Sequence, residues 1–363
     1  MADKHTDNRI SPFRSLKQPA KIGLLSLVDH FSDPVTGYQT STRERLLEVI
    51  EQAVLAEVAG FERFAVGEHH FSKYILPSAH LLLSAIAVRT QSIRLFTAVT
   101  LLPLHDPTQL AEQIGVVDQL SNGRMEISCA RGVSPLTGAI FGVKKEQVYQ
   151  VMENHLEQLL KIFRTGQVCI GRRNPSDKSL PENVPLVPFP AQQVHPPVWL
   201  GSGVHTDSCD MAIKYGLPMI LPSLFRHPED YLPCLKRYRE GLINRGIMEP
   251  PVTAIPSYCW VGKTSLEARK TWRPYLEQYV GYAKNYRGGF GRSLDFESIV
   301  SPWGPGICGS PAEVADKLAR INEFLGLSHH LLLMDVGGMP FDKVREAVEL
   351  MGEQVLPQLK MVS

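Results

Sequence analysis

The chain has 363 residues and a formal net charge of +1 at neutral pH, a balance that argues against bulk electrostatic capture of nucleic acid or an anionic membrane. With 44% hydrophobic and 21% charged residues it has the composition of a globular protein with ample core, sized for two ordinary domains or one large barrel. No apolar run approaches the ~20 residues of a membrane span. Residues 1–20 read as a flexible tail without the apolar core of a secretory signal. The six cysteines, at 129, 169, 209, 234, 259 and 308, form no CxxC pair. They read as reduced thiols, and the expected location is cytoplasmic.

Lys21–Val28 is long enough for a buried strand and too short for a helix. The polar stretch 29–41 exceeds a usual βα connection, which marks a candidate active-site loop. Leu46, Leu47, Ile50, Val54 and Val58 then recur at helical spacing, and Gly60 ends that helix. A strand over Phe64–Gly67 runs into Glu68, His69, His70 and Phe71. The alternation continues with a helix over 79–89 and a strand over 93–100. Asp106-Pro107 is an N-cap with proline at the first helical position, opening a helix to Leu120. A strand over 125–130 and a long amphipathic helix carrying Val148, Met152, Leu156, Leu159 and Phe163 follow.

Residues 166–196, rich in Pro, Asn and Ser, break the rhythm and read as an insertion with a hairpin. Strands are predicted next at 197–201, 217–221, 253–261 and 330–336, with helices between and after them. The exception is 284–309, a second irregular insertion. Strands beginning near 21, 64, 93, 125, 197, 217, 253 and 330 make eight β/α units. That count predicts a closed (β/α)8 TIM barrel, one domain over 21–363.

In parallel α/β folds chemistry sits at the carboxyl ends of the strands, and four stretches fall there. Glu68-His69-His70 ends the second strand. Ala98-Val99, small residues near the end of the third, let a planar group approach the backbone. Arg131-Gly132 follows the fourth, where a guanidinium can fork onto a phosphate. Gly201-Ser202-Gly203 precedes a helix holding Thr206 and Ser208, a glycine-rich anion cradle. On strand alternation His70 faces away from His69 and reads as structural. Glu68 is open between pairing with a neighbour and a catalytic role, and His80, His105 and His205 between substrate contacts and caps.

AEVAGFERFAVGEHHF (56–71), TAVTLLPLHDPTQLAEQIGVVDQLSNGRMEISCARG (97–132), PPVWLGSG (196–203) and VLPQL (355–359) together resemble the bacterial luciferase-like monooxygenases, flavin-dependent (β/α)8 barrels. The resemblance implies catalytic roles for His69 and Glu68. It implies a non-proline cis peptide at Ala98-Val99 beneath the flavin ring. Arg131, Gly201, Ser202, Gly203 and Ser208 would hold the flavin phosphate. It further implies reduced FMN supplied by a separate NAD(P)H:flavin reductase, O2 as co-substrate, a small organic substrate such as an aldehyde, ketone or electron-rich carbon, and a homodimer. Luciferase has a reactive cysteine just before that arginine; here Ala130 takes the place, and Cys129, one residue earlier, points to the other side of its strand. That departure argues against light emission. A deazaflavin (F420)-dependent oxidoreductase on the same barrel and a non-catalytic flavin-binding barrel stay open as alternatives. A metal-dependent hydrolase is disfavoured, because adjacent His69 and His70 do not easily reach one ion from a strand.

Overall fold

A computed structural model describes residues 19–132, 134–169, 181–222, 226–247, 251–286 and 295–361, without the side chains of 207, 208, 284–286 and 361. The expected tail up to residue 18, and the middles of both expected insertions, lie outside these residues.

The strands are β1 (Lys21–Ser26), β2 (Arg63–Val66), β3 (Arg94–Thr97), β4 (Met125–Ala130), β5 (Val198–Gly201), β6 (Met219–Ile220), β7 (Thr253–Val261) and β8 (His329–Leu333). Each pairs in parallel with the next, from β1 to β8. β8 pairs with β1 in the register Leu24↔Leu332, closing the ring. Closure explains the composition of the strands: β2, β7 and β8 are buried at every position, so both faces must be apolar or internally paired.

Helices fill the connections, and their starts are written in the sequence. Ser41 and Glu44 form a capping box on Thr42–Val58. The Asp106 carboxylate accepts from the Thr108 and Gln109 amides, and Ser310 with Glu313 repeats the box on Pro311–Leu325. Beyond shifts in strand ends, several elements differ from the sequence reading, among them a helix over Phe296–Val300 in the second insertion. β6 shrinks to two residues where it pairs with β7. A short helix over Pro135–Phe141 lies where the hydrophobic period predicts none; seven residues are too few to display it, and only the Ser134 cap and left-handed Gly142 mark its ends. The last helix passes through a π-helical turn at Met351–Val355 and continues to Met361. The first insertion does carry a hairpin, Gln167–Cys169 antiparallel to Asn183–Pro185. The described part of the second adds Ile307–Gly309 alongside β7.

The lower end of the barrel is plugged. Arg63 of β2 stacks over Trp199 of β5 at 5.6 Å, and Trp199 meets His329 of β8 edge-on at 5.3 Å. None of these strands are neighbours, so the contacts run across the lumen. Glu126 of β4 accepts from the Trp199 indole at 2.9 Å and pairs with Arg63 and Arg94. Burial, then the cations Arg63, Lys21 and Arg94, push His329 down to about 2, so it is neutral.

Candidate active site

The opposite, carboxyl-terminal end gathers the expected residues. β2 runs out through Gly67, where a Cβ would meet Leu27 at 2.7 Å and the Ala98 carbonyl at 2.9 Å. Only glycine lets the ends of β1, β2 and β3 close this tightly. The next residue, Glu68, is buried at 3% exposure, and its carboxylate is fully engaged. It accepts from the Leu101 amide at 3.0 Å, from His70 Nε2 at 2.8 Å and from His105 Nε2 at 2.9 Å. Its own amide donates to the Val99 carbonyl at 3.1 Å. Burial alone would raise its pKa, but the bonds from His105, His70 and Leu101 and the His105 charge overcome that and hold it at about 2.

Glu68 therefore ties β2 to the segment after β3, and that segment contains the Ala98-Val99 peptide, which is cis. Alternation separates the histidines as expected: Glu68 and His70 share one side, and His69 faces the other. His70 is bound to Glu68 and packs edge-on against Phe141 at 5.1 Å. The His69 ring lies 4.4 Å from the Tyr74 ring, which in turn meets Tyr279 at 6.1 Å and Tyr282 at 5.9 Å. Neither these aromatic partners nor His105 could be found by spacing, since His105 is 37 residues from Glu68 in sequence. His80 stands edge-on to His105 at 6.1 Å. Burial, then the His105 charge, lower His80 to about 4. His80 is thus a neutral core histidine.

Across the mouth, Arg131, Gly201, Ser202, Gly203, Val204, His205 and Thr206 line a cavity of about 610 Å³. Arg131 reaches from the end of β4 with its guanidinium 6.0 Å from the Tyr149 ring. Gly201 is required, because a Cβ there would sit 2.6 Å from that of Ala130. The expected helix start is different in kind: Thr206–Cys209 form a 3-10 turn, followed by a helix of only six residues, Asp210–Tyr215. So short a helix has little dipole to offer an anion; it contributes Met211 and Ala212 to the cavity lining, beside the loop and Arg131. The Ser208 side chain lies outside the described residues. Cys129 is fully buried, and burial followed by the Glu68 charge pushes its thiol pKa far up.

A family model described as Luciferase-like monooxygenase matches residues 21–329. The chain is 23% identical to the alkanal monooxygenase alpha chain of Photobacterium leiognathi, over 88% of this chain and 95% of that protein. The uncharacterized proteins y4vJ and y4wF of Sinorhizobium fredii are 39% and 32% identical over 34% and 51% of this chain, and the match spans only 36% and 52% of their lengths. In fold, the chain is similar to the oxygenating constituent of 3,6-diketocamphane monooxygenase from Pseudomonas putida, a type II Baeyer-Villiger monooxygenase solved with FMN. The TM-score is 0.76 at 18% identity, covering 93% of this chain and 98% of that one. An F420-dependent secondary alcohol dehydrogenase shares the fold at a TM-score of 0.68 and 15% identity, covering 94% and 99%.

The depressed Glu68 pKa has a definite sign. Its stabilisation is complete above the ordinary value of 4.5, shrinks as pH falls towards 2, and is absent below that. Glu68→Gln is expected to lower stability by about 2–3 kcal/mol at pH 7, with the gap from wild type closing as pH falls from 5 to 3. Urea denaturation of both proteins across that range reads the gap. A gap independent of pH would mean that the carboxylate charge is not its source.

Proposed function

Because the chain belongs to the luciferase-like monooxygenase family, we propose that it is an FMN-dependent oxygenase of the two-component type, fed with reduced FMN by a separate flavin reductase and acting on a small organic substrate. The observation that carries this reading is the convergence, on one face of the barrel, of the Arg131 cavity, the cis Ala98-Val99 peptide and His69. A phosphate on a slender polar arm fits the cavity: it is glycine-walled on one side and faced by a guanidinium on the other. FMN, when bound and reduced, supplies the reaction with O2 that delivers one oxygen atom to the substrate.

The chain's own residues bind, position and move protons. Arg131 and the 201–206 loop hold the phosphate. Ala98 and Val99 offer a flat backbone surface with only small side chains. Glu68, already committed to three donors, is a positioning residue and not a proton carrier; it fixes His105, His70 and Leu101. His69, on the other side of the chain from Glu68 and braced by Tyr74, is the group that holds or moves a proton. The F420 reading rests on the shared fold of that dehydrogenase, which shows fold alone. Spectral titration of the purified protein with FMN and with the deazaflavin separates the two.

Arg131→Ala should weaken FMN by about 30-fold, ~2 kcal/mol, and leave riboflavin nearly untouched; equal losses would move the phosphate elsewhere. His69→Ala should fold and bind FMN within a few-fold, yet lose product formation by ~10²–10⁴ while O2 goes to hydrogen peroxide. Near wild-type product yield in single turnover would make His69 structural. The first helices also expose Leu81 at 72%, Val88 at 60% and Leu120 at 48%, apolar surface that supports a homodimer. Sedimentation should give twice the 40.5 kDa of one chain, and a monomer at micromolar concentration would contradict it.

A further inference from the structure

A second cavity, of about 280 Å³, opens between the loops that follow β1 and β8 and the first turns of the helices they lead into. None of its described lining residues lines the Arg131 cavity. Asp29, Asp33, Glu48 and Asp342 put four carboxylates on its wall against one guanidinium, Arg45. That guanidinium is committed elsewhere. Its Nη2 pairs with Asp335 at 2.6 Å and its Nε donates to the Asp29 backbone carbonyl at 2.9 Å, leaving Glu48 a looser contact at 3.6 Å. Asp33 is closed on its own turn, accepting from the Val35 amide at 2.8 Å and the Thr36 hydroxyl at 2.7 Å. Asp29 is different. It is 3% exposed, its Oδ2 accepts from the Gly337 amide at 2.6 Å, and its Oδ1 has no hydrogen-bond partner. A buried carboxylate oxygen without a donor is costly, and Asp29 stands on the wall of a cavity from which a ligand can supply one.

We propose that this cavity binds a small primary alkylammonium ion, its ammonium group donating to Asp29 Oδ1 and its carbon chain lying against Phe31, Met339 and Phe341. An ammonium carries three donors and no acceptor, which suits a wall with a surplus of carboxylates; an anion would be repelled by the same wall. The rings of Phe31, Tyr38 and Phe341 add apolar surface and cation–π attraction. The volume, just under the ~300 Å³ of the smallest usual ligand pockets, limits the chain to a few carbons. A bare metal ion fits less well, because among the described residues no three His, Cys, Asp or Glu side chains are grouped to hold one. Binding is also coupled to a proton. Burial lifts the Asp29 pKa to about 7, opposed by Arg45 and helped by Asp335. Around it stand Asp33, Glu48, Asp342 and His30, whose Nε2 donates to the Thr40 carbonyl at 2.6 Å. The ammonium needs the ionised carboxylate, so its affinity should rise about tenfold from pH 6 to pH 8 as Asp29 gives up its proton.

This site stands apart from the flavin assignment, and its test needs no flavin. Full-length protein is titrated calorimetrically with butylammonium chloride, and with tetramethylammonium, n-butanol and Mg2+ for comparison. Butylammonium is expected to bind at least tenfold more tightly than tetramethylammonium, which has the charge but no N–H donor, and than n-butanol, which has the chain but no charge. Asp29→Asn should weaken it at least tenfold and abolish the pH dependence. Asp342→Asn, at the exposed rim, should weaken it severalfold and keeps the test decisive if Asp29→Asn does not fold. Equal affinity for tetramethylammonium would overturn the hydrogen bond to Asp29, as would wild-type affinity that does not change with pH. Binding of Mg2+ in place of butylammonium would overturn the ligand class. No butylammonium binding at millimolar concentration, by heat or by saturation-transfer NMR, would overturn the site.

Discussion

The barrel depends on the seam where its last strand meets its first, and one carboxylate holds that seam from above. Asp335, just past β8, accepts from the Ser26 hydroxyl at the end of β1 at 2.5 Å and from Arg45 of the first helix at 2.6 Å. Arg45 also donates to the Asp29 carbonyl, and the Gly337 amide donates to the Asp29 carboxylate. Chain segments about 300 residues apart are thereby locked by a buried ionic group, paired by Arg45 and hydrogen-bonded by Ser26, although Asp29 Oδ1 stays without a hydrogen-bond partner. Asp29 carries the cost: burial lifts its pKa to about 7 despite Arg45 beside it. Without closure there would be no common mouth on which the ends of β2, β3, β4 and β5 could converge.

At that mouth the division of labour follows from strand geometry. Side chains at alternate positions leave the strand in opposite directions, so one tripeptide serves two purposes. Glu68 and His70 turn towards His105 and Phe141 and stiffen the wall, while His69 turns the other way, onto Tyr74. The carboxylate is too well bound to exchange protons near neutrality, and its strong hydrogen bonds make it a hinge pin between β2 and the segment after β3.

Much of this was legible in the chain. All eight strands could be located because closure buries them on both faces and leaves short apolar runs between helices with strong caps, as at Asp106 and Ser310. The strand ends could be named as sites because parallel barrels put chemistry there. What was hidden depends on through-space contact. His105 joins Glu68 across an intervening helix and strand. Tyr74 reaches His69 because the backbone turns after Phe71, which holds a positive φ of 52°, a turn no local signal announced. The 206–209 turn was mistaken for a helix start because Ser and Thr favour both.

The plugged floor has one more consequence. Arg63, Trp199, Glu126 and His329 fill the lower lumen, so the barrel is closed along its axis from below. The lower end of the lumen therefore offers no passage, and whatever binds at the strand ends is reached from the carboxyl-terminal side alone.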